Sequence, residues 1–96
     1  MGDKYDQNAE VFAVFANAKR LAVLHMMEKN EVSLEEMVRK LKIPKTNLSQ
    51  HLSQLRHLHI VRSRREGVRV FYRLTDPKIL KACDVFFAFN KKYRLR

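Results

Sequence analysis

Lys45, Thr46, Ser49, Gln50, Ser53 and Arg56 fall in the stretch PKTNLSQHLSQLRHL, Pro44 to Leu58, at spacings that gather them on one side of a helix. Leu48, Leu52, Leu55 and Leu58 step by four, three and three residues and form an apolar stripe opposite. The polar set consists of short or forked hydrogen-bonders with two cations and no carboxylate. Side chains of these types can read base edges and neutralise phosphates in a DNA major groove, so the stretch reads as a recognition helix. Gln50 has the two-pronged amide that matches adenine, and Thr46 can meet a thymine methyl or a phosphate.

The charge is segregated around that helix. Residues 1–38 hold four basic and seven acidic side chains; residues 39–73 hold ten basic ones against Glu66 alone; residues 74–96 hold six against two. A solvated face would mix signs, whereas a single-sign block on a small chain points to a polyanion.

Ninety-six residues make one domain with one core, predicted here over residues 9–93 between a flexible lead at 1–8 and a tail at 94–96. No apolar run approaches the roughly 20 residues that span a bilayer. MGDKYDQNAE is polar and acidic, unlike a signal or transit sequence, and Asp6 stands where a myristoylation start needs Ser or Thr. The single cysteine, Cys83, excludes an intramolecular disulfide and fits a reducing cytoplasm. The thiol lacks an evident activating base and there is no glycine-rich phosphate loop, so no catalytic constellation is visible and the chain reads as a non-enzyme.

Other elements must hold the polar helix out. VFAVFANAKRLAVLHMMEKN is too long and too apolar for one surface helix, and splits into Ala9 to Asn17 and Ala18 to Lys29 with Asn17 as break or cap. Ser33 and Glu36 open the next helix with a capping-box pattern, and Pro44 ends it by Lys42. A short helix, a tight turn and a polar-faced helix make a helix-turn-helix.

Beyond Leu58 the apolar period becomes two. Ile60 to Leu74 predicts a β-hairpin turning at Glu66-Gly67, with Val68, Val70, Tyr72 and Leu74 inward and Arg62, Arg64, Arg65 and Arg69 at its tip. A hairpin in this place is the wing of a winged helix. Thr75 or Asp76 caps a last helix from Pro77 to about Tyr93. Its Phe86, Phe87 and Phe89, with Val11, Phe12 and Phe15 of the first helix, show apolar groups on more faces than one small core can bury. A homodimer interface from both ends of the chain follows, on a mainly α fold of order α-α-α-α-β-β-α.

This order, from Phe15 to about Phe89, resembles the ArsR-type (ArsR/SmtB-like) winged-helix repressors. The resemblance is carried by Ala18-Lys19-Arg20-Leu21-Ala22-Val23-Leu24, by Asn47-Leu48-Ser49-Gln50-His51-Leu52 with Leu55-Arg56, and by Val61-Arg62-Ser63-Arg64-Arg65-Glu66-Gly67 leading to Val70-Phe71-Tyr72-Arg73-Leu74. It implies a homodimer on the first and last helices and a recognition helix in each major groove, with Asn47 among its DNA-facing residues. It gives His51 a helix- and phosphate-positioning role. It further implies a wing over neighbouring phosphates, a palindromic operator with half-sites about 34 Å apart, and repression relieved by an inducer.

The inducer is where the chain departs from the family. The helix SLEEMVRKL lacks the cysteines through which many members bind metal, and Asp84 is followed by no histidine. The second helix offers His25, Met26 and Met27 but no thiol to pair with Cys83. Cys83 is a redox-sensor candidate through a symmetry mate, or simply a small buried hydrophobe. His25, His51, His57 and His59 lack metal-ligand spacing, so neither metal nor cofactor is assigned. The reading is a sequence-specific regulator of double-stranded DNA, with the inducer unidentified. Its alternatives are an architectural DNA-binding protein and a winged-helix module for protein contacts.

Overall fold

A computed structural model describes residues 3–94. The first helix, α1 (Lys4–Phe15), begins at Asp3, whose carboxylate accepts from the backbone N–H groups of Tyr5 at 3.0 Å and Asp6 at 2.9 Å. The helix thus starts ahead of the predicted Ala9 and takes in residues 4–8 of the predicted flexible lead. The cap lies outside the apolar run, so periodicity passed over it. Residues 1–2 of that lead and 95–96 of the tail lie outside the described residues. As predicted, Asn17 caps the second helix, α2 (Ala18–Met26), accepting from Lys19 N and Arg20 N. This helix stops short of Lys29.

Ser33 serves two elements. It belongs to a two-residue strand, β1 (Val32–Ser33), and its Oγ caps α3 (Leu34–Leu41) by accepting from Glu36 N at 3.2 Å. The Glu36 carboxylate turns to Lys40 Nζ, one helical turn on, at 3.1 Å. Lys42 takes φ 55°, a left-handed C-cap, and Ile43-Pro44 leads into α4 (Lys45–His57). Leu48, Leu52 and Leu55 of α4 are completely buried, each contributing roughly 1.5–3 kcal/mol of hydrophobic stabilisation. They join Val23, Leu24, Met37 and Leu74 in one core.

The wing consists of β2 (Val61–Glu66) and β3 (Arg69–Leu74), and β1 completes a three-stranded antiparallel sheet of order β1-β3-β2. The third strand is absent from the sequence-derived order, because two residues carry no period. Glu66 pairs with Arg69, so the two-residue loop is Gly67-Val68, with Gly67 at φ 63°, and not Glu66-Gly67. Val68 stands exposed on that loop, and of the four residues predicted to face inward only Leu74 is buried. The hairpin projects past the core, leaving its outer half nothing to pack on. Asp76 caps a 3₁₀ turn, Pro77–Leu80, which precedes α5 (Lys81–Tyr93) where one continuous helix was predicted. The architecture is the predicted mainly helical winged helix-turn-helix.

Candidate nucleic-acid interface

The burial of Leu48, Leu52 and Leu55 dictates what α4 offers to solvent. Lys45, Thr46, Asn47, Gln50, Ser53 and Arg56 are exposed, and so is Gln54, which the sequence reading did not single out. Ser49 and His51 are half-buried. Burial above all, then the charges of Arg20 and Lys19, holds the His51 imidazole below its usual range. Its imidazole is therefore harder to protonate than a free one.

Arg56 links helix to wing, its Nη1 donating to Ser63 Oγ at 3.2 Å. Cross-strand partners share a sheet face, so Arg62, Arg64 and Glu66 of β2 lie with Arg73, Phe71 and Arg69 of β3. Of these arginines Arg69 flanks the turn, and Arg65 stands one residue behind Glu66. Arg62 lies opposite Arg73 near the base and Arg64 opposite Phe71, which corrects their placement at the tip.

Among the described residues Arg64 is the wing arginine that forms ion pairs inside the molecule. Its Nε reaches Glu31 Oε1 at 3.0 Å and Oε2 at 2.8 Å, its Nη2 reaches Oε1 at 2.7 Å, and its Nη1 reaches Glu66 Oε2 at 2.7 Å. The hydrogen bond from Arg64 holds the Glu31 carboxyl below the usual carboxylate range, and both carboxylates raise the Arg64 guanidinium further. Arg64 and Arg69 both stack on Phe71, at 4.5 and 4.9 Å from its ring centroid. Arg62 and Arg65 are exposed and, among the described residues, form no ion pair. Glu31 went unnoticed in sequence because what gives it meaning is the strand that follows it.

On the terminal helices Phe12, Phe86, Phe87 and Phe89 are each more than half exposed, whereas Val11 and Phe15 pack partly on the core. No α5 residue is buried. Cys83 is half-buried, and burial first, then Asp84, pushes its thiol up, away from the reactive thiolate. Among the described residues no three His, Cys, Asp or Glu side chains come together to hold a metal ion, and no helix is long and apolar enough to cross a membrane.

A polar-faced helix seated on a helix-turn and flanked by an arginine-bearing hairpin defines a winged helix-turn-helix protein. A helix-turn-helix domain family model matches residues 15–64. The chain is 39% identical over 70 residues to the HTH-type transcriptional regulator KmtR of Mycobacterium tuberculosis, aligning over 73% of this chain and 54% of KmtR. HlyU from Vibrio cholerae superposes with a TM-score of 0.79 at 29% identity, covering 97% of this chain and 98% of the solved one. By sequence alignment the match spans 59% of the full HlyU, a transcriptional activator. The domain Mb0332 from Mycobacterium bovis, described as a homodimeric winged helix-turn-helix DNA-binding domain of a possible ArsR-family regulator, superposes with a TM-score of 0.82 at 25% identity, covering 96% and 88%. The chain belongs to the ArsR/SmtB family of helix-turn-helix transcriptional regulators. That is a family of regulators and not of enzymes.

Proposed function

We propose that this protein is a homodimeric, sequence-specific repressor that binds a palindromic operator in double-stranded DNA within the cytoplasm and works without the metal sites usual in its family. The observation that carries this is the exposed face of α4, where Lys45, Thr46, Asn47 and Gln50 stand clear on a helix anchored by three fully buried leucines. The N-terminal half of such a helix reads base edges. Ser49 and Ser53 extend that face, while the half-buried His51 positions the helix. Arg62, Arg65 and Arg69 supply phosphate contacts, and Arg64 keeps the wing in place.

The terminal helices support the dimer. Four exposed phenylalanines are more apolar surface than a monomer of this size leaves in water, and the related Mb0332 domain is homodimeric. The sign of regulation has support on both sides, since curated relatives include repressors as well as the activator HlyU. The repressor reading follows the resemblance to ArsR-type repressors and the curated relatives that are repressors.

Selection of bound duplexes from a random pool, followed by footprinting and in vitro transcription, tests the reading. The expected product is a palindrome with half-sites about 34 Å apart, bound with affinity that falls steeply with salt, and transcription that drops on addition of protein. Salt-dependent binding with no preferred sequence would make it an architectural protein.

A further inference from the structure

A cleft between α1, the first turn of α2 and the C-terminal end of α4 holds two opposite charges that do not meet. Its volume is about 210 Å³, and its walls include Glu10, Val14, Arg20, Gln54, His57 and Leu58. Arg20 Nη1 donates to the Val14 carbonyl at 3.3 Å, which fixes the guanidinium at the cleft wall. Among the described residues neither Arg20 nor Glu10 forms an ion pair, although both line this cavity. We propose that the cleft binds a small zwitterion of free-amino-acid size, its carboxylate on Arg20 and its ammonium on Glu10.

The charges select the class of ligand. Glu10 lies one helical turn before Val14, about 6 Å along the axis of α1, so carboxylate and guanidinium share a wall without touching. A simple anion on Arg20 would stand beside the Glu10 carboxylate, and a simple cation on Glu10 beside the guanidinium. A molecule with both charges meets an opposite one at each end. On Arg20, Nε is buried without a hydrogen-bond partner. Among the described residues Nη2 also makes no hydrogen bond but, unlike Nε, is not buried, so it is the group left to meet a carboxylate. Gln54 adds an amide that donates or accepts, and Val14 and Leu58 add apolar surface for the ligand's own side chain. At about 210 Å³ the cleft is smaller than the roughly 300–1,000 Å³ of pockets that hold drug-sized molecules.

The cleft is also clear of the base-reading and dimer-facing residues. Phe12, two residues from Glu10, is turned about 200° from it around α1, which puts the proposed aromatic interface on the far side of that helix. Thr46 and Gln50 lie a turn or more before Gln54 on α4. A molecule held here bridges α1 to the last turn of the recognition helix.

Calorimetric titration of the full chain with each uncharged L-amino acid, with backbone amides followed by NMR, tests the site. At least one amino acid should bind and shift the amides of Val14, Gln54 and Leu58. Its decarboxylated and deaminated analogues, ethylamine and propanoate in the case of L-alanine, should each bind more weakly by about tenfold or more. Glu10→Gln, at an exposed helix position, should bring the amino acid down to the level of its deaminated analogue and leave that analogue no weaker. Arg20→Gln should bring it down to the level of the amine. Because that change also removes the bond to Val14, Glu10→Gln decides the matter if the Arg20 variant does not fold. The proposal is overturned if none of these amino acids binds, if an analogue binds as tightly as its parent, or if Glu10→Gln leaves affinity unaltered. Shifts confined to other residues would place the ligand elsewhere and overturn it too. None of these results bears on the DNA-binding reading, which is tested with duplexes alone.

Discussion

The Arg64 guanidinium and the Glu31 carboxylate, 33 residues apart in the chain, meet through three hydrogen bonds of 2.7 to 3.0 Å. The contact ties the wing to the segment that enters β1, so the exposed hairpin is held at both its strand pairing and its side chains. Glu31 is depressed in the folded state, so its contribution is present above the ordinary carboxylate value of 4.5 and is lost as pH falls through the lower folded one. The Arg64 Nε–H signal should accordingly be protected from exchange at neutral pH and lose protection only in acid, below 4.5. Glu31→Gln should abolish that protection at every pH, and NMR exchange measurements decide the matter.

The committed state of Arg64 separates it from Arg65. Arg65→Ala should weaken binding to all duplexes and lower the salt slope by about 0.9, whereas Arg64→Ala should change the slope little and act through wing disorder. Gln50→Ala should instead alter which bases are preferred, at a cost of about 1–3 kcal/mol at one operator position. Equal effects of Gln50→Ala on random and selected DNA would remove Gln50 from the reading face.

Much of this arrangement was legible because it is local. Asn17 and Ser33 cap helices as their positions predict, since a cap is a contact of two or three residues. The leucine stripe of α4 and the crowding of Phe86, Phe87 and Phe89 likewise follow from spacing alone. What stayed hidden depends on distant pairing. The β1 strand has no period of its own and exists because Val32 and Ser33 reach Tyr72 and Phe71. The neutralisation of Arg64 depends on Glu31, and a charge sum treats Arg64 and Arg65 as equals.

The aromatic face gives a prediction about assembly. Phe86 and Phe87 are each more than half exposed, and a central aromatic in an interface is commonly worth about 2 kcal/mol or more. Phe86→Asp should shift the dimer toward monomer in sedimentation while leaving the circular dichroism spectrum intact, because no core residue is touched. Unchanged sedimentation would move the interface elsewhere. Cys83→Ser should leave both the dimer and any response to mild oxidants unaltered, since burial disfavours its thiolate.

His51 titrates in the opposite sense to a histidine that gains an acidic partner. Its folded value lies below 6.5, so the unfolded chain binds the proton more readily and stability falls as pH drops from 6.5 through that lower value. His51→Gln should flatten this part of the profile of Tm against pH. A wild-type Tm that stays constant as pH falls below 6.5 would contradict the burial of His51 near the charges of Arg20 and Lys19.

The end of α4 offers a change that should stabilise the protein. Ile60 N donates to Leu55 O and His59 N to Arg56 O, both at 2.9 Å, which closes the helix around a left-handed residue at His59. An L-residue held there costs roughly 1–2 kcal/mol, and glycine would remove that cost. Glycine also loses more backbone freedom on folding, which offsets about 0.5–1 kcal/mol of the gain. At the midpoints of the two ranges the balance favours His59→Gly by about 0.75 kcal/mol, equivalent to a rise in Tm of about 3–6 °C for a domain of this size. Calorimetry checks it. A lowered Tm would mean that the His59 side chain contributes more to the folded state through its neighbours than the backbone strain takes away.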